Sequence, residues 1–195
     1  MAVDKYADKS CTALYGFLDF LQAHAKPDLG DLNNSADVRT HLITFLGQVR
    51  SKAEQLLSGL RKAGVPKVAQ GEPYVSDSID QVQNVVDIVS KDEARAKATD
   101  GSNKVAVSQL LESVGTDFTR LGNVFSGVLG NLQSKYPAAG KAIKAAEDRV
   151  PSCIKLQQKA NDSTDSSDTG TTGSSGTSGS SATTSSSTAA PSGSS

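Results

Sequence analysis

The chain contains no tryptophan, and its only aromatic residues besides two histidines are four Tyr and five Phe among 195 residues. That scarcity argues against the aromatic platforms on which nucleic-acid bases and sugars stack. A positive excess is missing too: 20 Lys and Arg are balanced by 21 Asp and Glu, with both signs interspersed. The electrostatic footprint of a nucleic-acid binder or of a protein drawn to anionic membranes is therefore absent. No run of 18 apolar residues occurs, so nothing here reads as a spanning helix. The opening stretch MAVDKYADKS lacks an apolar signal core, and Met1 reads as a start residue added to a processed form.

Chemistry-bearing patterns are equally sparse. His24 and His41 fit no metal-ligand spacing with Cys or carboxylates. A Gly-rich phosphate loop, a nucleophile elbow and a zinc-protease helix are all missing. The expectation is no catalytic, cofactor-binding or metal-ligating residue, and no enzyme. The mixed charges Asp92, Glu93, Arg95 and Lys97, and Glu147, Asp148 and Arg149, read as solvated helix faces.

What is present is helical periodicity. Val107, Leu111, Val114, Phe118, Leu121, Phe125, Val128 and Leu132 alternate four and three apart and make one stripe, widened by Leu110, Val124 and Leu129. This width exceeds a two-stranded seam and predicts a helix inside a bundle, with the rest of the chain as its partners. Its glycines, Gly115, Gly122, Gly127 and Gly130, suit either close packing and surface positions or a helix built to bend.

A first helix is expected over 4–25, with Cys11, Leu14, Leu18, Leu21 and Ala25 on one face and Phe17 beside them, ended by Pro27 and Gly30. A second begins at Asn34 or Ser35 and carries Val38, Leu42, Phe45, Leu46, Val49, Ala53, Leu56, Leu57 and Leu60, until Gly64 and Pro66 stop it. Residues 65–75 read as a surface crossover loop, with Tyr74 and Val75 either packed down or exposed for recognition. A third helix starts near Ser76 or Ser78, the latter forming a capping box with Gln81, and runs through Ile79, Val82, Val86 and Val89 to Ala98; its β-branched content leaves a strand open for 85–89. Ser102 or Asn103 leads into the long helix. Pro137 opens a fifth, with a small-residue face of Ala138, Ala142, Ala145, Ala146 and Ile143, kinked or restarted at Pro151. The fold class is thus all-α, a bundle of about five helices over 1–160.

Two cysteines bracket this bundle, Cys11 on the buried face of the first helix and Cys153 near the end of the last. A Ser/Thr-rich segment follows, so they read better as one disulfide in an oxidising compartment than as two buried thiols. The link would close a loop of over 140 residues and stabilise by about 4–5 kcal/mol through chain entropy. Residues 161–195 hold 27 Ser, Thr or Gly among 35; they have too little apolar surface to offset ordering and read as a disordered stalk, roughly 30–35 Å from end to end as a random coil. Asn33 and Asn161 each begin an Asn-X-Ser acceptor pattern for N-glycosylation, in segments expected to be loops.

This layout, a near-neutral helical domain with a Cys near each end and a Ser/Thr/Gly tail, resembles the GPI-anchored merozoite surface antigens of piroplasm parasites. The resemblance implies an extracellular protein held at the cell surface by a C-terminal lipid anchor, with the small residues Ser192, Gly193, Ser194 and Ser195 as the attachment region. It also implies display to antibody and contact with a host-cell surface component. A second resemblance, in tail composition, is to the hydrophobic-surface-binding and galactomannoprotein family of fungal cell walls. That one implies a secreted or wall-associated protein whose apolar stripes enclose a lipid chain or spread at an interface.

Overall fold

The chain folds into six helices: α1 (Val3–Ala23), α2 (Ser35–Ala63), α3 (Gly71–Ala98), α4 (Lys104–Lys135), α5 (Pro137–Glu147) and α6 (Pro151–Asp165). The computed structural model describes residues 1–165, apart from the side chains of 123–130 and 161–165. Among the described residues there is no strand, so the all-α class holds and Val85–Val89 lie within α3. The expected 161–195 stalk and the anchor region Ser192–Ser195 fall almost wholly outside them. The described helices number six, not about five, because Pro151 has no N–H and cannot continue a helix; the chain turns at 148–150 and restarts with Pro151 in the first turn. The last helix also continues past residue 160, through Asp165.

Local signals set most other boundaries. Asn34 and Asn103 cap α2 and α4, accepting from the amides of Asp37 and Ala106. Gly64 closes α2 at φ +72°, with Arg61 and Lys62 in the last turn opposing the helix dipole. The start of α3 departs from expectation. It begins at Gly71, so Pro73 lies in the first turn, where a missing N–H costs nothing. Tyr74 and Val75 are consequently buried helical residues and not a recognition loop. Ser78 does not cap; its hydroxyl donates back to the Tyr74 carbonyl at 2.7 Å. Gly71 is needed for a close approach, since a Cβ there would sit 2.5 Å from the Pro66 carbonyl oxygen. The shortened crossover is pinned by the N-terminus: the Met1 ammonium donates to Val65 O, and Lys67 N donates to Met1 O, each at 2.8 Å.

Among the described side chains, α2 carries the longest buried stripe; Val124, Phe125, Val128 and Leu129 of the expected α4 stripe lie outside the described side chains. Val38, Leu42, Leu46, Val49, Ala53, Leu56, Leu57, Leu60 and Ala63 are all buried along α2, and it packs extensively on both α1 and α3. On α4, Val107, Leu110, Val114, Leu121 and Leu132 are buried, whereas Leu111 and Phe118 are only half covered. The reason is topological. Short connections place α1 and α3 on either side of α2, while α4 has α3 and α5 as its main neighbours and barely touches α1.

At the end where α1 begins and α4 finishes, α5 fills the space between them. Its buried face is Ala139, Gly140, Ile143 and Ala146, rotated from the expected alanine face, and with Tyr6, Ala63, Tyr74, Val75 and Leu132 it forms a second core. A Cβ on Gly140 would lie 2.8 Å from the Gln133 backbone, which measures how closely α5 folds back on α4. Among the described residues, the opposite end has no such filler.

Candidate functional site

Among the described residues α1 and α4 scarcely meet, and a groove lies between them. The C-terminal half of α1 was expected to bury Leu14, Leu18, Leu21 and Ala25. Of these the first three are half-buried, and Ala25 lies beyond the helix end. On the facing helix, Leu111, Val114, Gly115 and Phe118 form a wall; Leu42 and Phe45 of α2 form the floor; Leu21, His24, Ala25, Pro27 and Leu29 complete the rim. The space measures about 330 Å³, and no Asp, Glu, Lys or Arg lines it. Phe45 and Phe118 meet across floor and wall, ring centroids 5.7 Å apart. Gly115 presents no side chain, and a Cβ there would meet nothing within 4 Å. The same is true of Gly122, so neither glycine serves close packing, and Gly127 and Gly130 lie in the segment whose surroundings are not described.

The rim is held locally. His24 stacks on Phe20 with centroids 4.3 Å apart, and its Nδ1 lies 2.9 Å from the Phe20 carbonyl oxygen. The 24–34 connection is tied to α2 by the Asp31 amide, which donates to Asp37 Oδ2 at 2.7 Å. His41 sits between Asp37 and Asp28, at 3.7 and 3.9 Å. Neither histidine has metal-site surroundings: among the described residues, no group of three or more His, Cys, Asp or Glu is arranged to hold an ion.

Cys11 and Cys153 come together in disulfide geometry, Cα atoms 5.0 Å apart, among Ala7, Ala146 and Val150. The link joins the middle of α1 to the first turn of α6. Around it Ser152 Oγ donates to Asp8 Oδ1 at 2.9 Å, Arg149 bonds Asp4, and Lys159 reaches Asp19 at 2.6 Å. Of the two glycosylation candidates, Asn33 lies exposed in the α1–α2 connection, its amide nitrogen donating to Asp31 Oδ1. Asn161 lies within α6 and not in a loop, since helical hydrogen bonding carries past the end of the apolar pattern. No described helix is long and apolar enough to cross a membrane.

Of the charges expected to be solvated, Arg95, Lys97, Asp148 and Arg149 are exposed, whereas Asp92 and Glu93 at the end of α3 are not. Glu93 is buried, with Lys97 Nζ at 2.5 Å and Arg50 Nε at 2.7 Å. These two cations hold its carboxyl below the ordinary range. Asp92 is buried as well, and neither of its carboxylate oxygens has a hydrogen-bond donor. Glu147, also expected to be solvated, is half-buried, which raises its carboxyl above the usual range. Sequence reasoning missed Asp92 because an Asp three residues from Arg95 has the spacing of an exposed helix pair. It missed the groove because the stripes of α1 and α4 do not reveal whether they meet.

Comparison of the chain with protein-family models, with curated proteins and with solved structures finds no match in any of the three.

Proposed function

We propose that the chain is a secreted or wall-associated helical protein that takes the aliphatic part of a lipid into the groove between α1 and α4. The observation that carries this reading is the groove: about 330 Å³ of apolar space with no charged lining residue. Its volume lies at the small end of the range of ligand sites, which suits a single chain better than a bulky ring system. Water against Leu111, Phe118 and Leu21 is unfavourable, and covering them gains roughly 25 cal/mol for each Å² of apolar surface removed. The head group would remain at the rim near His24. No catalytic step belongs to this reading. Titration of the full, oxidised chain with cis-parinaric acid should give a saturable fluorescence rise at one probe per chain, lost in Phe118→Asp with the helical signal retained. Absence of saturable binding to the unaltered chain would refute it.

Surface display is a second reading, favoured by the position of the cysteine pair. It clips α1 to α6, the helix that leads directly into the Ser/Thr/Gly-rich segment, and so protects the bundle in an oxidising, protease-exposed setting. In this reading the 161–195 stalk ends in a lipid anchor at Ser192–Ser195, and the bundle is exposed to antibody or to a host-cell surface component. The mass of the natively produced protein, before and after glycolipid cleavage, tests it: a glycolipid on the last residues is expected, and an unmodified C-terminus contradicts the anchor.

A further inference from the structure

The Asp92 carboxylate is the least explained group in the molecule. Its side chain is 1% exposed, and both oxygens lack a donor. Buried polar groups are almost always hydrogen-bonded, so a bare carboxylate in this place requires an account. Asp117 of α4 is held to the same cation as Asp92, Arg95. One guanidinium nitrogen, Arg95 Nη1, serves both acids, at 3.3 Å from Asp92 Oδ1 and 3.9 Å from Asp117 Oδ2, while also donating to the Ser113 hydroxyl. Two carboxylates on a single cation leave one negative charge unbalanced at the α3–α4 seam, and a proton removes it. Protonated, Asp92 loses its uncompensated charge and gains a donor on one of its two oxygens.

We propose that Asp92 and Asp117 share a proton across the α3–α4 seam, and that this proton sets how tightly α4, the outer wall of the apolar groove, is held to the bundle. The second half rests on the groove reading given above; the first does not. The charged groups that act on Asp92 are Asp117 from α4 and Arg95 from its own helix. The cations that α2 brings to α3 are engaged elsewhere, Arg50 with Glu93 and Arg39 with the carbonyls of Ala96 and Lys97. Burial first, and then the Asp117 charge, push the Asp92 carboxyl up to about 6, against the opposing pull of Arg95.

The sign follows. With its folded pKa above the unfolded value of 3.8, the folded chain binds the extra proton between these limits. The stabilisation is complete below pH 4 and is lost as the pH rises through about 6. At neutral pH Asp92 is charged and repelled across the seam, and α4 is released enough to admit a chain between it and α1. At pH 5 the seam is closed.

The test follows the denaturant-unfolding equilibrium of the full, oxidised chain between pH 4 and 7.5 in three forms: unaltered, Asp92→Asn and Asp117→Asn. The unaltered chain should lose roughly 10- to 100-fold in folding equilibrium relative to Asp92→Asn across that range. Asp117→Asn removes the repelling charge but not the burial and should reduce the same slope only in part; a slope left unchanged in Asp117→Asn means burial alone and overturns the sharing. A gap between unaltered and substituted chains that does not change with pH overturns the shared proton. Uptake of 1-dodecanol, uncharged throughout and followed by titration calorimetry, reads the groove: affinity should rise several-fold from pH 5 to 7 in the unaltered chain and stay level in Asp92→Asn. Equal pH dependence in both overturns the coupling to the groove. A pH-dependent stability gap with no probe uptake at any pH upholds the proton and overturns the groove reading on which the coupling rests.

Discussion

The two ends of this bundle are built from the same long helices and finished differently. Where α1 begins, α5 is inserted between α1 and α4; Tyr6, Tyr74, Leu132 and Ile143 are buried there, and the cysteine pair adds a covalent tie nearby. Where α1 ends, no described residue comes between α1 and α4, and Leu21, Leu111 and Phe118 line an open groove. Apolar residues at helical spacing occur at both ends. What separates a core from a binding surface is whether a further element arrives to cover the stripe, and in this chain a small-residue helix of 11 residues makes that difference.

The largest effect that should separate the ends comes from the cysteine pair. Cys153→Ser opens a loop of 142 residues and should cost about 4–5 kcal/mol, read as a fall in melting temperature of roughly 10–20 °C. Probe uptake by the fraction still folded should be unchanged, because no described side chain of α6 lines the groove. Equal melting of the oxidised and reduced chains would remove the clip from the account.

Next come paired truncations. Leu46 is fully buried on α2, and Leu46→Ala should destabilise by about 3 kcal/mol through the cavity it leaves. Leu111→Ala, on the groove wall, loses contacts already shared with water and should cost about 1 kcal/mol while weakening ligand uptake. Chemical denaturation with the two variants side by side checks the contrast, and equal costs would mean that the groove is packed like the core.

Glycines sharpen it further at smaller amplitude. Gly140→Ala forces a Cβ to within 2.8 Å of the Gln133 backbone and should destabilise by about 1–3 kcal/mol. Gly115→Ala meets only open space and should stabilise by about 0.5–1 kcal/mol through helix propensity. Opposite signs in a thermal melt are expected, and a shared sign would erase the structural difference between the ends.

Much of the architecture was legible because apolar spacing and caps agree. The stripe on α2 is recovered almost residue for residue, and Asn34 and Asn103 cap where short polar side chains next to apolar periodicity predict. Three features were hidden for physical reasons. Gly71 and Pro73 read as breakers, yet both are compatible with a first helical turn, so α3 starts earlier than the pattern suggests. Asn161 carries no apolar signal, yet α6 persists through it on backbone hydrogen bonding. The described part of the α4 stripe is less covered than expected, since stripe width reports how much surface seeks cover and not how much receives it. That shortfall is the groove: Leu111 and Phe118 were recognised as apolar stripe residues, and only the position of α5 shows that they go partly uncovered. Pro27 and Leu29 had no periodic signal and enter the rim through the fold alone.

The most direct test of the claim that this bundle is open at one end for a lipid chain is native mass spectrometry of the delipidated, oxidised chain after incubation with a saturated long-chain fatty acid. The account predicts a one-to-one adduct that raises the melting temperature and disappears in Phe118→Asp. An unaltered chain that shows no adduct and no thermal shift would contradict it.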